Sequence, residues 1–267
     1  MTCTEAAPGK TRIGWIGTGV MGRSMPFVRQ PQQLPPKQLS IPRTPSKAAP
    51  LQQQGAELAE SPEAVAAKSD VLCLMVGTPE DVQQLMYVGA RNGKLTVMAG
   101  GDAAAVAAMQ PLFQAFATTI IHTGPAGSGK GQRTKLANQI TLCTNLVGLA
   151  EGLLFAERVG LDLEKTLSVL SGGGAASWSV STYGPRIRDG DFRPGFFVAH
   201  LIKDLRLALE EASRAKLALP GLSLALQLYQ ALEAQGGGAL GVHALKLALS
   251  SINEKQKNVQ QVAEQMN

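Results

Sequence analysis

Residues 12–22 read RIGWIGTGVMG and decide the fold of the chain. The short apolar run Ile13–Ile16 predicts a buried β-strand, and a glycine pattern follows it directly. Gly17 permits a tight turn, Gly19 lets the backbone approach a pyrophosphate, and Gly22 lets the next helix pack on the strand. Free N–H groups at the start of that helix would bind the phosphates. The stretch therefore predicts a dinucleotide site, with a purely structural turn as the alternative.

The predicted cofactor-binding residues of this turn are Gly17, Thr18, Gly19, Val20, Met21 and Gly22. Further along, the second strand of a dinucleotide-binding sheet should end in an acidic residue that binds a ribose hydroxyl. Arg43, followed by Thr44, stands there instead. An arginine at this position suits the 2′-phosphate of NADP, so both residues are predicted to contact the cofactor. A solvated loop arginine is the alternative, and NAD stays open.

The composition is that of a globular protein with a sizeable core. The chain has 267 residues, of which 45% are hydrophobic and 17% charged, with a net charge of +5. These charges are scattered without basic–aromatic clusters, so we expect no nucleic-acid partner. No uninterrupted apolar run reaches membrane-spanning length, so we expect no membrane partner. A mildly basic surface fits an anionic substrate or cofactor.

The cysteines and the N-terminus bear on the compartment. Cys3, Cys73 and Cys143 lie far apart, and the last two stand in apolar runs, which is typical of core thiols in a reducing compartment. No metal site is predicted. The first twelve residues contain no apolar signal segment. We therefore expect a cytoplasmic protein, with an organelle as the open alternative.

The segment after the glycine turn departs from the expected pattern. Prolines at positions 26, 31, 35 and 36 each cost about 3 kcal/mol inside a helix, so residues 25–42 are predicted to keep only a helical stub. Most of the second strand is also expected to be lost there. Ser61 then predicts a helix N-cap, followed by proline at the first helical position.

Alternating strands and helices predict an α/β fold, a Rossmann-type doubly wound parallel sheet that is incomplete, followed by an all-α domain. The predicted strands are residues 13–16, 70–76, 95–99 and 118–122, and the predicted helices between them are residues 46–55, 64–68, 82–86 and 103–116. Later helices are predicted at residues 136–159, 163–170, 203–215, 223–234 and 239–249. The expected domains are residues 1–128 for the dinucleotide and 129–250 for the helical substrate and dimerisation domain, with a polar tail at 251–267.

Five stretches together resemble the β-hydroxyacid dehydrogenase family, which includes 3-hydroxyisobutyrate dehydrogenases, tartronate semialdehyde reductases and glyoxylate/succinic semialdehyde reductases. They are residues 13–22 (IGWIGTGVMG), 43–47 (RTPSK), 93–102 (GKLTVMAGGD), 127–139 (GSGKGQRTKLANQ) and 192–209 (FRPGFFVAHLIKDLRLAL). The resemblance implies an oxidoreductase that uses NADP or NAD, acts on a small carboxylated carbonyl or hydroxy substrate, and forms a homo-oligomer.

The resemblance also implies site residues. Lys135 matches the catalytic acid/base of the family, and reducing a carbonyl does require a positioned proton donor beside a hydride source. Asn138, one helical turn later, resembles the substrate-orienting amide, with a capping or core hydrogen bond as the alternative. Lys203 matches a second lysine near the cofactor; the alternative is a surface pair with Asp204.

The chain also lacks a part that family members carry. Near Tyr87 and Val88 the family has a further strand, a helix and a D-A-P-V-S-G-G-like loop whose donors hold the substrate carboxylate. Here a predicted helix joins directly to the residues after that loop. Each lost charge-assisted hydrogen bond is worth about 1.5–3 kcal/mol. A second hypothesis therefore stands beside the enzyme: a catalytically impaired relative or variant gene product that acts only by dinucleotide binding or dimerisation.

Overall fold

The computed structural model describes residues 7, 11–16, 38–41, 57–69, 71–74 and 95–254. The chain divides into two units, Met1–Lys135 and Leu136–Asn267. The predicted helices at residues 46–55 and 82–86 lie outside the described residues. So do the glycine turn and the segment that follows it up to residue 37.

A four-stranded parallel sheet forms part of the first unit. Its strands are β1 (Ile13–Ile16), β2 (Gln38–Ile41), β3 (Glu57–Leu58) and β4 (Val71–Leu74). The strand order is β3-β2-β1-β4, and every pair is parallel. This is the first part of the Rossmann order 3-2-1-4-5-6. The predicted parallel sheet is confirmed, and β1 lies between two neighbours.

The expectation that proline removes most of the second strand is wrong. β2 pairs with the full length of β1, from Ile13 opposite Gln38 to Ile16 opposite Ile41. The reason is visible in the sequence, because prolines 36 and 42 flank the segment and none stands within it. A proline outside a strand removes no hydrogen bond from the ladder.

The rest of the first unit contains helices and a second pair of strands. These are α1 (Pro62–Ala67), β5 (Leu95–Gly100), α2 (Ala103–Ala108), α3 (Gln110–Gln114) and β6 (Ala117–Gly124), with β5 and β6 parallel. The predicted N-cap of α1 is confirmed, since Ser61 Oγ accepts from the N–H of Ala64 at 3.2 Å. The predicted single helix at 103–116 is wrong: it divides at Met109, because Pro111 has no N–H to continue the ladder.

The second unit is helical. Its helices are α4 (Lys130–Arg158, which begins in the first unit), α5 (Leu163–Gly172), α6 (Trp178–Arg188), α7 (Val198–Arg214), α8 (Pro220–Ala234) and α9 (Leu245–Glu254), with 3₁₀ turns at Gly237–Ala239 and Val242–Ala244. Helix α6 was not predicted, because Ser, Thr, Gly and Pro give its sequence low helix propensity. Burial of Val180, Tyr183 and Ile187 along one face stabilises it.

Helix α4 is the spine of the helical core. Within the described residues it is the one helix long and apolar enough to cross a membrane by length and composition, and 50% of its apolar window is buried. This result does not contradict the expectation about uninterrupted apolar runs, because the measure averages hydropathy over a window that tolerates single polar residues. Cys143, Leu146 and Leu153 of this helix are almost fully buried in the core. This packing accounts for its apolar composition.

The segment after α8 closes over the beginning of α7. Tyr229 Oη donates to the carbonyl of Val242 at 2.9 Å, and the N–H of Val242 donates to the carbonyl of Phe196 at 2.9 Å. The N–H of Val198 donates to the carbonyl of Leu240 at 3.0 Å. The first turn of α7 is thus fixed by residues that come more than forty positions later in the chain.

The second residue after the end of α7, Lys216, has a left-handed backbone conformation. This conformation leads to a prediction about stability. Lys216 has a φ of 55°, and its N–H donates to the carbonyl of Ser213 at 3.0 Å. A side chain is strained in this conformation, whereas glycine is not. We expect Lys216→Gly to raise the free energy of unfolding by about 0.5–1 kcal/mol in urea titrations. Ala215→Gly, at a φ of −83°, is the matched control and should lower it.

Candidate active site

The strand order fits a dinucleotide at the carboxyl end of β1. In a Rossmann sheet the dinucleotide binds where the strand order reverses, between the first and fourth strands, and β1 pairs here with β4. β1 ends at Ile16, the residue before Gly17 in the sequence. The predicted contacts Gly17, Thr18, Gly19, Val20, Met21, Gly22, Arg43 and Thr44 themselves lie outside the described residues.

The beginning of α4 is anchored to the ends of β5 and β6. A Cβ on Gly131 would lie 3.4 Å from the carbonyl oxygen of Met98 and from Thr123 Oγ1, so the helix backbone at this residue approaches both strand ends closely. Thr123 Oγ1 in turn donates to the carbonyl of Ala99 at 2.9 Å. Lys135 therefore stands on a helix whose first turn is held against the carboxyl edge of this strand pair.

Lys135 and Asn138 share one face of α4, since they are three positions apart in a helix. Both residues are exposed. Their roles as acid/base and substrate amide stay predictions.

A hydrogen-bonded chain of four polar side chains connects α4 with α7. Asn138 Nδ2 donates to Gln139 Oε1 at 3.2 Å, and Gln139 Nε2 donates to Asp204 Oδ2 at 2.8 Å. Lys203 Nζ lies 3.2 Å from Asp204 Oδ1. Gln139 and Asp204 are 5% and 3% exposed, whereas the Lys203 side chain is 66% exposed. The buried Asp204 carboxylate thus binds one buried side chain, Gln139, and one exposed side chain, Lys203.

This chain joins two predicted site residues, Asn138 and Lys203, through two residues that were not predicted as site residues. The signal for the missing pair was present in the sequence. Gln139 stands in the apolar stripe that continues through Cys143 and Leu146, and Asp204 stands among the buried residues of α7. A polar side chain on the core face of an amphipathic helix needs a hydrogen-bonding partner. The spacing of residues along one helix does not predict which residue of another helix this partner is.

A second polar cluster surrounds His243, which is fully buried. Its ring stacks on Tyr183 with 4.8 Å between centroids and 12° between planes. Nε2 lies 2.6 Å from the carbonyl oxygen of Asp191, and because a carbonyl only accepts, Nε2 carries the proton. Nδ1 has no hydrogen-bond partner among the described residues. Burial lowers the pKa of His243 to about 4.

Charged groups next to this histidine are paired with each other. The carboxylate of Asp191 accepts from Arg193 Nε at 2.7 Å and from Arg186 Nε at 3.1 Å, and these bonds hold the pKa of Asp191 well below its usual range. Burial raises the pKa of Tyr183 to about 12. Burial of the His243 ring, and secondarily the charge of Arg186, therefore favour its neutral form over the opposing effect of Asp191.

Cys143 is a core thiol, as predicted. It is fully buried in α4, and burial raises its pKa to about 11. The thiolate is the reactive form of cysteine, so this side chain takes no part in the chemistry of the site.

Family models cover most of the chain. Residues 12–88 and 86–124 match the NAD-binding domain of 6-phosphogluconate dehydrogenase, and residues 129–248 match the NAD-binding domain of NADP-dependent 3-hydroxyisobutyrate dehydrogenase. The first match is interrupted at residues 86–88, the position at which the sequence analysis places the missing substrate loop.

Relatives and solved structures agree with these models. The chain is 40% identical to the probable 3-hydroxyisobutyrate dehydrogenase-like 1, mitochondrial, of Arabidopsis thaliana, over 92% of this chain and 87% of the relative. It is 39% identical to the 2-hydroxy-3-oxopropionate reductase of Escherichia coli over 61% of this chain and 55% of that enzyme. A Mycobacterium tuberculosis 3-hydroxyisobutyrate dehydrogenase structure covers 90% of this chain and 99% of its own, with 23% identity and a TM-score of 0.74, which shows the same fold.

The alignment with the Arabidopsis relative also gives a minimum number of positions of that relative that have no counterpart in this chain. It spans 298 positions, although this chain has 267 residues, so at least 31 positions of the relative have no counterpart here. The matched models, the identity and the fold together assign the chain. It belongs to the β-hydroxyacid dehydrogenase family of NAD(P)-dependent oxidoreductases.

Proposed function

We propose that this chain reduces a small carboxylated carbonyl compound, or oxidises the matching hydroxy acid, with Lys135 as the acid/base. The candidate substrates are glyoxylate, succinic semialdehyde, 3-hydroxyisobutyrate and tartronate semialdehyde. The observation that carries the proposal is the side-chain network from Lys203 through Asp204 and Gln139 to Asn138, on the helix that also presents Lys135. Residues 1–128 would bind the cofactor, and residues 129–250 would supply the substrate side, followed by the tail at 251–267.

In this proposal, separate residues transfer the proton, orient the substrate and bind the cofactor. The Lys135 ammonium donates a proton to the substrate carbonyl oxygen during reduction, and its amine takes the proton back during oxidation. Asn138 orients the oxygen that gains or loses the proton. Gly17–Gly22 and Lys203 would hold the cofactor, which supplies the hydride when bound. Arg43 and Thr44 favour NADP over NAD at the ribose.

A catalytically impaired chain is the second candidate, and one observation favours it. The family match breaks at residues 86–88, and at least 31 positions of the Arabidopsis relative are missing here. The expected substrate loop falls at this break. Without its serine and glycines, a carboxylate loses charge-assisted hydrogen bonds. The chain would then retain dinucleotide binding and self-association alone.

Self-association and location complete the proposal. Phe155, Val159 and Leu161 at the end of α4 are each more than half exposed, and such apolar surface is typical of an interface. We propose a homo-oligomer formed by the helical unit.

We also propose a cytoplasmic location; the name of the Arabidopsis relative points to mitochondria as the alternative.

One assay separates the two candidates. We expect the purified chain to oxidise NADPH in the presence of glyoxylate or succinic semialdehyde, and NADPH to raise its melting temperature more than NADH does, because Arg43 favours the additional phosphate. Arg43→Asp should reverse the cofactor preference. A thermal shift without turnover would support the impaired chain. The absence of both would contradict dinucleotide binding itself.

A further inference from the structure

Building on the function proposed above, we propose that Gln139 is a positioning residue. It sets which atom of the Asn138 amide faces the substrate, and Asp204 is its fixed reference. Gln139 touches neither substrate nor cofactor in this assignment. It acts through Asn138.

Asp204 determines the orientation of Gln139. Its carboxylate is 3% exposed and pairs with the Lys203 ammonium at 3.2 Å. An ionised carboxylate only accepts hydrogen bonds. Gln139 must therefore turn its Nε2 toward Asp204, at 2.8 Å, because the flipped amide would place two oxygens against each other.

Gln139 then determines the orientation of Asn138. With Nε2 committed to Asp204, the Oε1 of Gln139 faces Asn138 and accepts from its Nδ2 at 3.2 Å. Asn138 is left to present Oδ1, an acceptor, on its other side. An acceptor suits the hydroxyl of the bound hydroxy acid, which donates to Oδ1 until its one proton passes to the Lys135 amine in the oxidation step. A flipped Asn138 would offer an N–H group and could not accept that hydrogen bond.

The two hydrogen bonds from Asn138 to Gln139 and from Gln139 to Asp204, together called the relay, have a fixed direction of donation. This direction can be tested with nearly isosteric substitutions. Asp204→Asn removes the obligate acceptor, so both amides lose their fixed orientation. Gln139→Glu places two carboxylates together in a buried site. In the double variant, the new amide at position 204 can donate to the new carboxylate at position 139. That carboxylate still accepts from Asn138, and Lys203 can still donate to the amide oxygen at position 204. We expect each single variant to raise KM for the hydroxy acid at least tenfold, and the double variant to return within about threefold of the parent.

A purely structural role predicts something different. Gln139→Met keeps the size of the side chain and fills the same core position. It makes neither the hydrogen bond to Asn138 nor the one to Asp204. We expect KM for the hydroxy acid to rise at least tenfold, as in Gln139→Glu, while the melting temperature falls less than in Gln139→Glu. Methionine leaves the Asp204 carboxylate without one donor but introduces no second charge. If KM follows melting temperature across all four variants, or if the double variant is as impaired as Gln139→Glu alone, the relay is wrong.

A readout that needs no turnover separates this proposal from the proposed function. In protein labelled with ¹⁵N-asparagine, the Asn138 side-chain amide is assigned by its loss in Asn138→Asp. We expect one of its two protons to exchange with water more slowly in the parent and in the double variant than in Gln139→Met. Equal exchange in the parent and Gln139→Met would overturn the relay. An inactive parent with the expected exchange pattern would overturn only the proposed activity.

Discussion

We expect Lys135→Met to lower kcat for NADPH-dependent reduction by about 10²–10⁴-fold, which is the usual contribution of a positioned general acid. Methionine has nearly the length of lysine but no titratable group, so the helix surface is preserved while the proton donor is lost. Because Lys135 is exposed on α4, the fold should not depend on it. Steady-state NADPH oxidation measures kcat, and the NADPH-induced thermal shift reports cofactor binding separately.

Lys165→Met is the matched control, because Lys165 is also an exposed lysine near the beginning of a helix. It should leave kcat unchanged. The assignment of Lys135 fails if its methionine variant retains more than a tenth of the parent kcat. It also fails if kcat falls only together with the NADPH-induced shift, since that would indicate a cofactor-binding residue.

Acidification from pH 6.5 to 4 lowers the free energy of unfolding of the helical unit by about 3 kcal/mol through His243 alone. Burial lowers the pKa of His243 to about 4 in the folded chain, whereas the unfolded residue titrates near 6.5. The unfolded state therefore binds the proton first as the pH falls. The stabilisation is complete above pH 6.5 and is lost by pH 4. Urea titrations followed by Trp178 fluorescence, in a Trp15→Phe background, measure it.

Trp178 is a suitable probe because its ring contacts Tyr183 edge-on at 5.3 Å, and Tyr183 stacks on His243. His243→Gln retains a donor for the Asp191 carbonyl but does not titrate, so its stability should be nearly constant over this range. The carboxylate of Asp191, with its lowered pKa, loses its contribution only at more acidic pH. An unchanged slope in His243→Gln would show that another group is responsible.

Much of the architecture could be predicted from local pattern. The apolar run before Gly17 predicts β1, and the helical spacing after Lys135 predicts α4, because burial on one face leaves a period in the sequence. Helix α6 escaped prediction because its stability comes from packing of Val180, Tyr183 and Ile187, not from propensity. The division of the helix at Met109 follows from Pro111, a local signal that the sequence contains.

The site was predictable only in part, for a physical reason. Lys135, Asn138 and Lys203 stand in recognisable stretches, so a resemblance names them. Gln139 and Asp204 meet across 65 positions, and no local pattern states which helix faces which. Their burial is a property of the tertiary packing of α4 on α7. The unpartnered Nδ1 of His243 likewise appears only once the surrounding helices are in place.

The late residues that close over α7 have a consequence for biosynthesis. Val242, Ala244 and Leu245 are fully buried in the core to which Cys143 of α4 also belongs. While these residues are still in the ribosome, the emerging helices have no partner for that apolar surface. The helical unit is therefore expected to mature only after Leu245 has left the ribosome, and nascent α4 to depend on chaperones until then.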